Sequence, residues 1–145
     1  YKLKNVFVAN ASLIPFPDNF VDICLLYNVI EHCSSPETVL REVFRILKTG
    51  GRLYVDVPNA KSMSDRIFRW GSIILYGKTS HIQKFTKEKV ESLINKTGFE
   101  KVESKVQTGF YIDYPQLDKF TLLKRFLKFL IGEETVGWEY RCLKR

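Results

Sequence analysis

Long apolar runs are missing from these 145 residues. The longest, Val21–Tyr27 with its internal Asp22 and Ile73–Tyr76, fall well short of the roughly 20 residues that a membrane-spanning helix needs. Tyr1-Lys2-Leu3-Lys4 leads into no long apolar stretch, so no secretory signal is expected here. The chain opens on Tyr1 rather than methionine, which fits a fragment or a processed product. Cysteine is scarce: Cys24, Cys33 and Cys142 form no CxxC spacing. An odd, scattered set argues against a disulfide framework and a zinc knuckle. Free thiols fit a reducing compartment, and a cytoplasmic location is expected. Neither an internal repeat nor a low-complexity segment is present, which excludes solenoid and fibrous architectures.

What is present describes an ordinary soluble globular chain, with 45% hydrophobic and 27% charged residues. The length fits one domain, 1–145, with a real core. The net charge is +7, from 23 basic and 16 acidic residues. Residues 1–59 are balanced at 6 and 6, residues 60–105 carry 10 and 5, and residues 106–145 carry 7 and 5. The excess therefore sits mainly in the middle, where an acidic substrate, nucleic acid or an anionic surface could use it. A lysine-rich solubilising surface explains it equally simply.

Asn5–Ala9 reads as a short strand rich in β-formers. Ile14-Pro15-Phe16-Pro17-Asp18-Asn19 is a proline-punctuated loop. Val21–Tyr27 suits a strand buried on both faces. Ser34-Ser35-Pro36-Glu37 is a helix start, with a serine cap, proline in the first turn and an early acid. Val39, Leu40, Val43, Phe44 and Leu47 then share one helical face. Lys48-Thr49-Gly50-Gly51 stops the helix, a glycine taking the left-handed conformation. Arg52–Val57 is a strand ended by Pro58. The helical crossover between two apolar strands implies a parallel βαβ unit. Further on, Lys61–Tyr76 reads as a helix with Met63, Ile67, Trp70, Ile74 and Leu75 apolar. Thr86 caps a helix whose stripe is Val90, Leu93 and Ile94, ended by Thr97-Gly98-Phe99. Lys101–Gln107 alternates like a strand. Gln116–Ile131 reads as an amphipathic helix, with Leu117, Phe120, Leu123, Leu127 and Leu130 opposite Lys119, Lys124 and Lys128. Such a helix suits packing, a substrate cap or a weak contact with a membrane surface or partner. Trp138–Leu143 is the last strand.

Four segments in order carry a resemblance. They are Asn10-Ala11-Ser12-Leu13-Ile14-Pro15-Phe16-Pro17-Asp18-Asn19 followed by Asp22-Ile23, then Asn28-Val29-Ile30-Glu31-His32, then Leu40-Arg41-Glu42-Val43-Phe44-Arg45-Ile46-Leu47-Lys48-Thr49-Gly50-Gly51, and later His81-Ile82-Gln83-Lys84-Phe85-Thr86 with Gly98-Phe99. Together they resemble the class I S-adenosylmethionine-dependent methyltransferases of the small-molecule type. The family pattern reads roughly D-A-x-x-L-P-F-x-D-x-x-F-D, E-H, L-x-E-x-x-R-x-L-K-P-G-G. The likeness covers residues 5–105 well and the rest loosely. It implies an α/β fold with a partial Rossmann-like sheet, strands 3–7 of the family, mostly parallel with one antiparallel strand. The family order 3-2-1-4-5-7-6 would then be reduced to 4-5-7-6, with Trp138–Leu143 antiparallel at position 7. Asn5–Ala9, as family strand 3, would pair directly with Val21–Tyr27 or hang loose. Residues of about 60–80 and 108–137 would be substrate-side or lid insertions.

The resemblance implies S-adenosyl-L-methionine as cofactor and methyl transfer to an O, N or C nucleophile of a small-molecule acceptor of unknown identity. Ligands of open parallel sheets bind beyond the carboxyl ends of the strands. Asn10, Ala11, Leu13, Tyr27 and Asn28 follow or end strands there, and the resemblance makes them the cofactor-binding set. Asn10 stands where the family has an acid; its side-chain oxygen still accepts a hydrogen bond, without charge assistance. Two family features are absent from these residues: the Gly-rich loop that holds the amino-acid end of the cofactor, and the acid that binds the ribose hydroxyls. Gly50-Gly51 follows a helix rather than linking a strand to a helix N-terminus, which is the wrong context for such a cradle. The resemblance is therefore to the C-terminal part of a methyltransferase, and an incomplete chain is expected. A non-catalytic remnant that acts as a binding or partner module is the alternative, and a nucleic-acid binder built on the basic 60–105 stretch is a third reading.

Glu31 and His32 admit three readings. As a catalytic pair, His32 takes up the proton of an oxygen or nitrogen acceptor near neutral pH. As a metal site, Glu31 and His32 with Asn28 offer ligands, weakened by asparagine in place of a carboxylate at position 28; no metal is expected. As structure, His32 caps the next helix while Glu31 points across the cleft. Methyl transfer itself rests chiefly on positioning. His81 and Tyr76 are the expected substrate contacts, and Trp70 and Tyr111 are further pocket candidates.

Overall fold

The computed structural model describes residues 5–78, 81–109, 129 and 134–145, with the side chains of Phe68, Leu75 and Tyr76 outside that description. Four strands, β1 (Val21–Tyr27), β2 (Leu47–Pro58), β3 (Glu100–Gly109) and β4 (Glu134–Leu143), form one sheet in the order β1-β2-β4-β3. In family terms this is 4-5-7-6. β1 and β2 are parallel, and β4 is antiparallel to both β2 and β3. Three strands thus share one direction and a single strand opposes them, although only one of the three pairings is parallel. The fold is α/β and Rossmann-like, as expected.

Helix α1 (Pro36–Ile46) makes the parallel crossover from β1 to β2. Proline at its first turn needs no N–H donor there. The Ser35 hydroxyl does not cap the backbone and instead meets the Thr38 hydroxyl at 2.7 Å. The expected glycine stop falls later than the helix end: α1 closes at Ile46, and Leu47 is already extended. Gly50 does take a left-handed φ of 78°, inside an irregular stretch where Val21 pairs with Leu47 but Ile23 with Arg52. Gly51 permits a close approach, because a Cβ there would meet the Lys48 carbonyl at 2.7 Å.

The core lies between one sheet face and two helices. Leu53, Val55 and Val57 of β2 alternate inward and lie in register with Cys142, Tyr140 and Trp138 of β4. Val39, Leu40 and Val43 of α1 and Val90 and Ile94 of α3 (Lys87–Lys96) close over them. Thr86 caps α3 as expected, its hydroxyl accepting from the Lys89 N–H. Gly98 with φ 91° ends it and sends Phe99 into the core.

Two expectations are corrected. Val21–Tyr27 is not buried on both faces: Leu26 faces the core, whereas Ile23, Leu25 and Tyr27 are exposed on the other side. Among the described residues β1 is also an edge strand, and its apolar run has one covered face there. Asn5–Ala9 forms no strand and does not join the sheet; Val6, Phe7 and Val8 are exposed. β-propensity reflects packing against neighbouring strands, and this segment has none beside it. Helix α2 (Met63–Tyr76) forms as expected, yet Met63, Trp70 and Ile74 of its apolar set are exposed. The helix expected over Gln116–Ile131 lies outside the described residues except for Phe129, as do most of 108–137 and Tyr111. No helix among the described residues is long and apolar enough to cross a membrane.

Two ionic devices fasten the C-terminal end of α1. The buried ammonium of Lys144 donates to the carbonyls of Phe44 at 2.7 Å and Leu47 at 2.8 Å and to Asn19 Oδ1 at 3.0 Å. A cation there satisfies orphan carbonyls at the negative end of the helix dipole. Arg45 holds both Glu42 oxygens and the Ile14 carbonyl, while Glu42 accepts from the Ile14 N–H. The Arg45 hydrogen bonds pull the Glu42 carboxyl below its ordinary range against the opposing effect of burial. Stability from Glu42 is then present above the ordinary glutamate range and lost as pH falls through the lowered value. Glu42→Gln should lower stability at neutral pH and flatten the acid limb of the stability–pH profile, so that variant and parent converge at low pH; an equal loss at every pH would contradict this. Lys144→Met should cost about 2 kcal/mol in urea unfolding with an unchanged slope; an unaltered midpoint would show that the lysine contacts contribute nothing net.

Candidate functional site

β1 leaves the sheet at Asn28, which takes a left-handed φ of 51°. Asparagine is among the few residues that adopt this region readily. Its N–H donates to the Asp56 carbonyl at 3.3 Å, tying the exit to the end of β2. A single 3-10 turn, Ile30–His32, follows, closed by His32 N–H to the Val29 carbonyl at 3.1 Å. This turn sends three successive side chains apart. Ile30 enters the core, Glu31 is fully buried, and the His32 side chain stays 39% exposed.

A second wall comes from residues 81–86. The Gln83 N–H donates to the Glu31 carbonyl at 2.9 Å, and its side-chain amide reaches the Ser34 carbonyl at 3.2 Å. Phe85 anchors the segment in the core. The rings of His81 and His32 thereby meet edge to face, 5.0 Å between centroids. These are the two histidines of the chain.

The third wall is the start of α2. Ser62 caps it through the Asp65 N–H at 2.9 Å. Glu134 of β4 receives the Met63 and Ser64 N–H groups, each at 2.7 Å, and the Ser64 hydroxyl at 2.6 Å. These bonds lower the Glu134 carboxyl despite its partial burial. Asp65, fixed by this cap and buried, lies 3.1 Å from His81 Nδ1 and 3.2 Å from Arg69 Nε. Asn28, His32, Asp56, Asp65, His81 and Gln107 help enclose a cavity of about 440 Å³. It lies beyond the carboxyl ends of β1 and β2, where open α/β sheets bind ligands.

A buried carboxyl, Glu31, lies behind the histidines of the pocket wall. Among the described residues neither Glu31 oxygen has a hydrogen-bond partner, and His32 Nε2 stands 3.8 Å away, too far for one. Burial pushes the Glu31 carboxyl up; the neighbouring His32 and His81 ease that rise, and Asp56 adds to it. Asp56 is raised by burial as well, partly offset by a hydrogen bond from Gln107. Among the described residues, Glu31, His32 and His81 bring ligand-type atoms within 4.8 Å of one another.

The expected residues thus divide. Asn28, His32 and His81 line the pocket, and Glu31, fully buried, lies beside the two histidines without lining it. Tyr76 lies in α2, with its side chain outside the described set. Asn10, Ala11, Leu13 and Tyr27 do not line the cavity. Asn10 Oδ1 accepts from the Ser12 N–H at 2.9 Å, a local turn that leaves the oxygen one further acceptor site. Leu13 and Tyr27 are exposed. An open acceptor and exposed apolar surfaces fit the purine side of a nucleoside cofactor; no Gly-rich donor loop for its amino-acid end is among these residues. Sequence reasoning missed Asp65, Asp56 and Glu134. Ser62-x-x-Asp65 has the spacing of a capping box, so the helix start was readable there, but not the pairing of Asp65 with His81.

Comparison with known proteins agrees with this fold. Residues 2–55 match the family model described as a methyltransferase domain. A 47-residue segment is 47% identical to the ubiquinone/menaquinone biosynthesis C-methyltransferase UbiE of Yersinia pestis, covering 32% of this chain and 19% of that protein. The matched segment thus spans about a fifth of the curated relatives. A SAM-dependent methyltransferase structure from Thermotoga maritima superposes with a TM-score of 0.68 at 25% identity, over 94% of this chain and 62% of the other. One from Methanosarcina mazei gives 0.63 at 17% identity, over 95% and 66%.

The Asp65 contact makes a spectroscopic prediction. Ring nitrogen shifts of neutral His81 should show the proton on Nδ1, and Asp65→Ala should abolish that preference. A His81 signature that ignores the substitution would remove Asp65 from its role.

Proposed function

From a chain whose fold is that of the class I S-adenosylmethionine-dependent methyltransferases, and whose residues 2–55 carry their methyltransferase-domain pattern, we propose S-adenosyl-L-methionine-dependent methyl transfer to an O, N or C nucleophile. The acceptor is a small molecule held in the cavity beside His32. The observation that carries this reading is the convergence of Glu31, His32 and His81 at the carboxyl end of β1. Asn10 through its second acceptor site, the Ala11 backbone, Leu13, Tyr27 and Asn28 would hold the nucleoside side of the cofactor. Bound there, the cofactor supplies an electrophilic methyl on a good leaving group, so the protein's work is positioning and exclusion of water.

The chain's own residues then have definite tasks. His81, oriented by Asp65, and Gln107 shape the acceptor wall. His32 presents a half-exposed imidazole and takes up the proton released by an oxygen or nitrogen acceptor. Glu31 beneath it compensates the imidazolium charge. Residues 60–80, which contain α2, act as a substrate-side insertion. A cytoplasmic setting suits the free cysteines.

One observation favours the alternative of a non-catalytic binding module: Asn10 replaces the family's acid and already spends one acceptor site on Ser12. Calorimetric titration with S-adenosylhomocysteine separates the two. The 145-residue chain should bind weakly, and a chain extended upstream by a Gly-rich segment should bind in the micromolar range and transfer methyl. In that extended form His32→Ala should lower kcat about 100-fold with little effect on cofactor affinity. Absence of transfer by the extended chain would favour the module, and tight binding by the 145-residue chain would show the loop to be dispensable.

A further inference from the structure

Glu31 poses an electrostatic problem. Its side chain is fully buried, and neither oxygen has a hydrogen-bond partner among the described residues. A carboxylate in that state is costly unless a positive charge compensates it. His32 Nε2 stands 3.8 Å from it, and the ligand-type atoms of Glu31, His32 and His81 lie within 4.8 Å of one another. We propose that Glu31, His32 and His81 form a site for a divalent cation of the zinc, cobalt or nickel class where the two pocket histidines meet the buried carboxyl.

Three independent features carry this. The donor set of two imidazoles and one carboxylate matches the three-ligand sites in which such ions keep a further position for water or substrate. His32 and His81 both line the 440 Å³ cavity, so a cation held between them would be reachable from it. The supporting shell is also present. Asp65 engages His81 Nδ1 at 3.1 Å, which makes Nε2 the nitrogen through which this ring would bind. A carboxylate behind a ligating histidine is the usual orienting device. Asp65 is itself locked by the Ser62 cap and by Arg69. Finally, the two ligand-bearing segments are pinned together by the Gln83 N–H bond to the Glu31 carbonyl. Ligand atoms of a tetrahedral site lie about 3.3 Å apart at ordinary zinc distances, so side-chain adjustments of about an ångström would close the set. Asp56, whose Oδ1 is also buried and without a partner among the described residues, lines the same cavity and adds negative potential at Glu31.

The site lies in the pocket assigned to the acceptor, so its catalytic meaning rests on the methyl-transfer reading, while cation binding stands apart from it. With the cation in place His32 serves as a ligand, and coordination rather than the imidazole acidifies an acceptor hydroxyl.

Cobalt(II) titration of the chelator-treated chain, followed by its visible absorption, tests the proposal, with zinc calorimetry in parallel. One equivalent should bind. His81→Ala and His32→Ala should each weaken binding at least about tenfold, and Asp65→Asn should weaken it about tenfold with the three ligands intact. Glu31→Gln should do the same if the variant folds by circular dichroism; the partly exposed His32 supplies the test if it does not. Cys33→Ser should leave binding unchanged. Absence of saturable binding, indifference to both histidine substitutions, or loss in the cysteine variant overturns the assignment. Cobalt binding without any response to S-adenosylhomocysteine in the extended chain would retain the cation site and sink the methyl-transfer reading; the reverse result would do the opposite.

Discussion

The left-handed turn at Asn28 is the constraint on which the rest of the site depends. It ends β1, ties itself to Asp56 at the end of β2, and sets the register of the Ile30–His32 turn. One residue's shift there would exchange the buried and exposed positions, moving Glu31 toward solvent and His32 toward the core. Asparagine tolerates the geometry that a β-branched residue would not. The same position that lacks a carboxylate for ligation therefore has a conformational reason to be asparagine.

From that turn the pocket is assembled by contacts remote in sequence. Gln83 brings His81 to the turn through a backbone bond. Glu134 reaches from β4 to the start of α2 and fixes the segment that carries Asp65. Asp65 then orients His81. The sheet supplies the frame: β2 lies between a parallel and an antiparallel neighbour, and the inward residues of β2 and β4 share one core with α1 and α3. Buried polar groups at the strand ends, Glu31 and Asp56 above all, remain only partly satisfied. That is expected where polar chemistry rather than stability decides which residue is present.

Much of this frame was legible in the sequence. The βαβ crossover followed from two apolar runs joined by a proline-started helix, and the resemblance supplied the order 4-5-7-6. The caps of α1 and α3 lay where serine–proline and threonine marked them, although the Ser35 hydroxyl turned to Thr38 instead of the backbone. The failures share one cause. The strand pattern of Asn5–Ala9 and the two-sided burial of Val21–Tyr27 both presumed neighbours that the described residues do not supply. At the site, Glu31, His32 and His81 were each legible as candidates, but their union was not. It depends on a tertiary hydrogen bond at Gln83 that no local pattern encodes. Asp65 was hidden for a related reason, since its spacing to Ser62 announces a helix cap and says nothing of the histidine it meets.

The central claim is that the only two histidines of this chain belong to one site built on the exit from β1. Proton–carbon NMR of the two imidazoles during zinc addition tests it directly. Both sets of ring signals should shift together and saturate at a single equivalent. Movement of one histidine alone, or of neither, would contradict the account.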